Sequence, residues 1–293
     1  MSETLYAIID GAIEERLLDF LSEHNPPHCC LYAEPLQQEL VSLAPYLVEV
    51  TDKVSQWLGG KNTHWGIYLS AAVEMKDLRH HLRKYLQVMI PAEKKPVYFR
   101  FYDPRNIWDF CSVLSDWELH CFMGPMEKIR TVTNGVIREY DFKSIRKQFP
   151  DKSKSRAKIF KVSKPQIDTL NQIAEDNYLT ELTGQILLQY PTLSKQTSDE
   201  THTVYMKSAS AEAKIQPDMD VEKIVRDCYF FCKNKGIDDD RSIRGILHLL
   251  IQKEIYELDN FPETWLVNLN DTSLPGYYRV ERLLKEQLGY IPG

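Results

Sequence analysis

Leu5-Tyr6-Ala7-Ile8-Ile9 is an unbroken apolar run that stops at Asp10-Gly11, after which Ile13, Leu17, Phe20 and Leu21 recur at helical spacing. The pair predicts a strand followed by a helix. Similar short runs follow at Cys30–Ala33, Tyr46–Val50, Gly66–Leu69 and Leu86–Ile90, with amphipathic stretches around Gln37, Val54 and Leu78. Such alternation is the pattern of a sheet dressed with helices. In Val97–Tyr102 the side chains Val97, Phe99 and Phe101 alternate with Tyr98, Arg100 and Tyr102, which predicts an interior strand touched on both faces.

Asp103-Pro104 reads as an N-cap followed by proline at the first helical position, opening a helix through Ile107, Trp108 and Cys111. Gly124-Pro125 stops the next helix. Met126–Val132 and Val136–Phe142 flank Thr133-Asn134-Gly135 as a hairpin, because Asn-Gly supplies the positive φ angles of a tight turn. Beyond a basic stretch, Pro165 opens a long helix carrying Ile167, Leu170, Ala174, Tyr178, Leu182 and Ile186, which ends before Pro191. Further helices are marked by Val221–Cys232, closed by Gly236, and by Ile243–Tyr256 and Tyr278–Leu288. The fold class expected is a mixed α/β lobe over residues 1–150. A basic connector and a mainly α-helical lobe follow over 151–293, with a flexible loop at about 192–218.

Composition narrows the function. The chain has 293 residues, 43% hydrophobic and 27% charged, as in ordinary globular proteins. The first fifteen residues hold Glu3 and Asp10 but no Lys or Arg, and no uncharged apolar run approaches the roughly 18 residues of a membrane helix. The six scattered cysteines lack zinc spacing and suit a reducing cytoplasm. A net charge of −6 argues against a general nucleic-acid binder. Charge is nevertheless uneven: Lys143–Lys164 holds nine basic residues against Asp151. That segment reads either as a solvated connector or as a docking strip for an acidic surface, with Lys152, Lys154, Arg156 and Lys158 as its candidate contacts.

No catalytic set assembles from the sequence. His64-Trp65-Gly66 places a histidine at a strand entrance, but no nucleophile elbow accompanies it. His80 and His81 are adjacent on a helix and point about 100° apart, so they cannot share one ion. Asp238-Asp239-Asp240 lacks the ligand pattern of a calcium loop and suits a helix N-terminus. Cys228 and Cys232 read as packing residues on one helix face. Asp10-Gly11 occupies the place where α/β enzymes keep a phosphate or a catalytic acid, yet no glycine-rich loop follows. A hydrolytic or small-molecule-binding site around Asp10, His64 and Asp103 is the alternative. Aromatic content of 11% favours broad contact surfaces instead.

Taken in order, Tyr6-Ala7-Ile8-Ile9-Asp10-Gly11, Cys30-Leu31-Tyr32, Ala44-Pro45-Tyr46-Leu47-Val48, His64-Trp65-Gly66-Ile67, His81-Leu82-Arg83, Phe99-Arg100-Phe101-Tyr102-Asp103-Pro104-Arg105 and Phe122 with Gly124-Pro125 resemble one family. It is the type VI secretion effector-chaperone family, the Tap or TEC adaptors. The resemblance covers about residues 4–130. It implies a cytoplasmic, cofactor-free protein, not an enzyme, that holds a cognate toxic effector and helps attach it to the C-terminal part of a VgrG spike protein. Nucleic acid and membrane are not expected partners. The motif residues Asp10, Gly11, Tyr32, Pro45, His64, Trp65, Gly66, Arg100, Tyr102, Asp103, Pro104, Arg105, Gly124 and Pro125 are expected to serve folding. Past Pro191 the likeness is thin, so effector choice is expected there, with Trp265, Leu266 and Tyr277 as candidate contacts.

Overall fold

In the computed structural model, which describes residues 3–33, 35–133, 135–150, 157–193 and 220–292, the first apolar run forms β1 (Thr4–Asp10). The chain continues through α1 (Leu17–His24), β2 (His28–Cys30), α2 (Gln38–Val41), β3 (Pro45–Glu49), α3 (Asp52–Gly59), β4 (Gly66–Ala71) and α4 (Met75–Leu82). Next come β5 (Gln87–Met89), β6 (Val97–Tyr98), α5 (Ile107–Val113), α6 (Asp116–Met123), β7 (Met126–Thr133) and β8 (Val136–Tyr140). Then follow α7 (Lys143–Arg146), β9 (Phe160–Lys161) and α8 (Lys164–Gln189). Two compact units divide the chain, Met1–Ile173 and Ala174–Gly293, so the division falls within α8.

The first unit is built on an antiparallel six-stranded sheet of order β2-β3-β1-β4-β7-β8. β1 is continuously apolar because it is central and covered on both faces. Tyr6 and Ile8 join Leu47, Ile67, Leu69 and Ile129 in a core completed by Leu78 and Leu82 of α4, Phe110 of α5 and Phe122 of α6. Ala7 and Ile9 face the other way with Tyr46 and Val48, beneath Leu17, Phe20 and Leu21 of α1 and Val54 and Leu58 of α3. Burying each large aliphatic side chain contributes roughly 1.5–3 kcal/mol. This two-sided cover sets the position of the strand. The mixed α/β expectation holds for this unit, and the hairpin forms with Thr133 opposite Val136. Asn134 lies outside the described residues.

Three local readings are corrected. Val97–Tyr102 is not an interior strand. Only Val97–Tyr98 pairs, at the edge of a separate three-stranded sheet of order β6-β5-β9, and Tyr98 is exposed. A turn closed by Asp103 N–H to Arg100 O, 3.0 Å, then buries Phe101 and Tyr102. The alternation there reflected side chains buried by a turn. The helix expected from Pro104 is displaced: α5 starts at Ile107, and Asp103 instead closes a preceding turn, its Oδ1 accepting from Arg105 N at 3.0 Å and its carbonyl from Asn106 N at 3.0 Å and Ile107 N at 3.1 Å. The second strand ends at Cys30 and does not extend to Ala33.

The second unit carries the end of α8 with α9 (Val221–Asn234), α10 (Asp240–Gln252), α11 (Glu263–Leu269) and α12 (Gly276–Leu288). It is mainly helical, as expected. Asp239 accepts from Ser242 N at 2.8 Å and Asp220 from Lys223 N at 3.1 Å, so the acidic run caps a helix. Cys228 and Cys232 are fully buried in the core of this unit, as expected of packing residues. Their contact and burial push the Cys228 thiol well above its usual range. Of the loop expected at about 192–218, Thr192 and Leu193 lie in a short 3-10 turn, and 194–218 lie outside the described residues.

Candidate functional site

The motif residues other than Gly124 and Pro125 gather where β1, β3 and β4 meet their connecting loops. Pro45 opens β3 opposite Asp10, so a residue without an N–H stands at the strand's first position. Asp10 N donates to Trp65 O at 2.7 Å and Gly11 N to Ala44 O at 3.1 Å. Gly66 sits opposite Ile9 with φ of +150°, and a Cβ there would lie 1.8 Å from Ile8 O. Trp65 is 4% exposed and meets Tyr68 edge-on at 4.9 Å. His64 is half-buried just ahead of β4.

The Asp10 carboxylate is buried, accepting from Ala12 N at 3.0 Å and from the Arg100 guanidinium. Burial raises its pKa against the lowering effects of the Ala12 and Arg100 bonds. Asp103 is also buried, and burial alone would raise its pKa. Three bonds from Arg105, by backbone N at 3.0 Å, Nε at 3.0 Å and Nη2 at 2.7 Å, outweigh burial and hold the carboxyl below the usual range. Pro104 lies inside this Asp-Pro-Arg loop. Tyr102 is buried, Tyr32 is half-buried, and burial pushes both phenols upward. Asp10, Arg100 and Asp103 therefore do converge. Their charges and lone pairs are largely engaged with one another and with backbone.

Sequence reading missed two members of this framework. Glu14 is buried against Lys61 Nζ at 2.6 Å and accepts from the Thr63 hydroxyl. Arg79 donates through Nε to Cys30 O at 2.6 Å and through Nη2 to Tyr32 O at 3.3 Å. Both partnerships join segments distant in sequence, and neither residue type signals burial. Trp108 Nε1, likewise unmarked as polar, donates to Thr131 Oγ1 at 2.8 Å.

A cavity of about 590 Å³ lies elsewhere in the first unit, lined by α4, by α6 and by the chain around Arg146, Phe149 and Lys158. Trp117 stacks on His120 at 5.7 Å, and Phe149 packs against both rings, at 5.2 and 4.9 Å. Arg146 donates to Gly124 O at 3.0 Å and to Met126 O. Gly124 and Pro125 form part of the wall. Gly124 needs to be glycine twice over, since φ is +45° and a Cβ would lie 2.2 Å from the His81 ring. That ring is bonded through Nε2 to Phe122 O at 2.7 Å.

Residues 5–121 match the family model described as "Domain of unknown function (DUF4123)". Over that stretch the chain is similar to the DUF4123 family. DUF4123 is known as the type VI secretion effector chaperone or adaptor domain, the family that the motifs resembled. No curated protein and no solved structure matches the chain. Asp10 through Arg105 lie inside the DUF4123 match, whereas Gly124, Pro125, β7 and β8 follow it. The cavity draws residues from both sides of that boundary.

The candidate contacts divide. Lys158 is exposed on the cavity wall, while Lys152, Lys154 and Arg156 lie outside the described residues. In the second unit Trp265 is 3% exposed and belongs to the core with Phe261, which corrects the expectation that its ring is offered to a partner. Leu266 is half-buried against the same core, and Tyr277 is exposed.

Proposed function

We propose that this chain is a cytoplasmic effector adaptor of a bacterial type VI secretion system. It holds a cognate toxic effector and helps attach it to the C-terminal part of a VgrG spike protein, and it catalyses no reaction. The DUF4123 match over residues 5–121 carries this reading. The site supports it: the carboxylates that an enzyme would use are tied to Arg100, to Arg105 and to backbone. A hydrolase at Asp10, His64 and Asp103 would need one of them poised over a substrate. Effector choice is assigned to the helical unit, which exposes Val267, Tyr277, Tyr278 and Tyr290.

Deletion of the gene in its native host tests the function. Effector abundance and effector-dependent killing of a competitor should fall while secretion of unrelated effectors persists, and undiminished killing would refute the reading. For the division of labour, residues 192–293 are exchanged with those of a relative serving another effector. A folded chimera that still captures the original effector places selection in the first unit instead.

A further inference from the structure

The cavity beside α6 has the composition of a recognition site, with an aromatic floor and a cationic rim. Trp117 remains 40% exposed although it stacks on His120 and touches Phe149. Exposed aromatic rings held rigid by neighbours are typical anchors of protein interfaces. At the rim, Lys84 and Lys158 are exposed and have no ion pair among the described residues. The charges deeper in the wall are engaged: Arg146 is committed to the Gly124 and Met126 carbonyls, and Glu118 accepts from Ser115 N at 2.9 Å and from Gln166 Nε2 at 3.0 Å. Lys158 also belongs to the segment with nine basic residues against one acid. His120 Nδ1 is buried without a partner among the described residues, a further polar atom on this wall.

The geometry points to this cleft as the docking site for an acidic segment of a partner protein, which inserts an apolar side chain beside Trp117 and sets carboxylates against Lys84 and Lys158. The assignment rests on the reading that the chain works by holding other proteins. Charge complementarity selects the occupant: of the exposed charges lining the cavity that have no ion pair among the described residues, Lys84 and Lys158 outnumber Asp77. The volume lies within the roughly 300–1,000 Å³ of pockets that take a drug-sized molecule, so only a short part of a partner enters it.

The test uses the full chain and two fluorescein-labelled, C-terminally amidated nonapeptides with the same central Trp-Leu pair, flanked by Glu in one and by Lys in the other. Fluorescence anisotropy is read at low salt and at about 1 M salt, where charges are screened beyond about 3 Å. The Glu peptide should bind at low salt, weaken at high salt, and lose at least about tenfold in affinity to the Lys84→Glu/Lys158→Glu double variant. Both lysines are exposed, so that variant should melt with the wild type, and it should bind the Lys peptide better than the wild type does. Trp117→Ala should weaken the Glu peptide comparably. Equal binding of the two peptides, binding of neither, or an unchanged Glu-peptide affinity in the double variant overturns the cleft assignment. Co-purification of the cognate effector with the wild-type chain is scored separately. An effector recovered without Glu-peptide binding overturns the cleft alone. Glu-peptide binding lost in the double variant, with no effector recovered, supports the cleft and overturns the adaptor reading.

Discussion

Gly66→Ala puts a methyl group where two central strands leave no room for one. Its Cβ would lie 1.8 Å from the Ile8 carbonyl oxygen and 3.0 Å from the carbonyl carbon, at a φ of +150°. The obstacle is main chain, so no side-chain rotation relieves it. β1 and β4 would have to part along a register running from Thr4↔Ala71 to Ile9↔Gly66. A backbone conformation suited only to glycine costs roughly 1–3 kcal/mol in another residue, and forcing atoms into a filled core costs roughly another 1–3 kcal/mol. The sum, about 2–6 kcal/mol, is a large share of the ~5–15 kcal/mol that holds a typical domain. In a unit of 150–250 residues about 1 kcal/mol moves Tm by ~2–4 °C, so a drop of about 4–24 °C is expected. Tryptophan fluorescence during heating reads the first unit selectively, because Trp57, Trp65, Trp108 and Trp117 lie there and only Trp265 lies in the second. A transition within about 1 °C of the wild type would refute the close approach and the folding role assigned to the motif glycine.

Trp65→Ala removes a buried ring and should cost about 3–5 kcal/mol, read by urea denaturation; a loss below about 1 kcal/mol would show the ring is not part of the core. Burial raises the Asp10 pKa, so stability is fullest below the unfolded value of about 3.9 and is lost as pH rises through the higher folded value. Asp10→Asn keeps an oxygen for Ala12 N–H and should melt at or above the wild type at pH 7, the difference closing in acid; a variant much weaker only at neutral pH contradicts this. Asp103 has the opposite sign, because its lowered pKa means stability present above about pH 3.9 and lost as pH falls through the folded value. Asp103→Asn should therefore lower Tm at pH 7 and matter less in acid, and a pH-independent deficit would remove the Arg105 pair as its cause. Trp265→Ala should cost about 3–5 kcal/mol in the second unit, seen as an early loss of helical circular dichroism, whereas an unaltered melt would return the ring to the surface.

Much of the fold was legible because it depends on local pattern. The run at Leu5–Ile9, the Asn134-Gly135 hairpin signal and the helical spacing after Pro165 each mapped onto an element. Where the reading failed, alternation or a local cap signal was overridden by tertiary contacts. Phe99, Phe101 and Tyr102 alternate like strand residues, yet a turn delivers the last two to the core. Asp103-Pro104 has the form of a helix start, yet it closes a turn ahead of α5, which begins only at Ile107. The motif positions were found in sequence, and their partners were not. Arg100 reaches Asp10 across ninety residues, and Lys61 and Thr63 close on Glu14 from a distant loop. The cavity was foreshadowed only by the basic segment. Its aromatic floor joins α6 to Phe149, a proximity no periodicity encodes.

Affinity purification of the full-length chain from its native host, with partners identified by mass spectrometry in the presence and absence of the effector gene, tests the adaptor reading most directly. A type VI effector and a VgrG spike protein should be recovered together with the chain, and the spike protein should decline when the effector gene is removed. Recovery of neither protein, under conditions where the tagged chain still supports killing, would contradict the account.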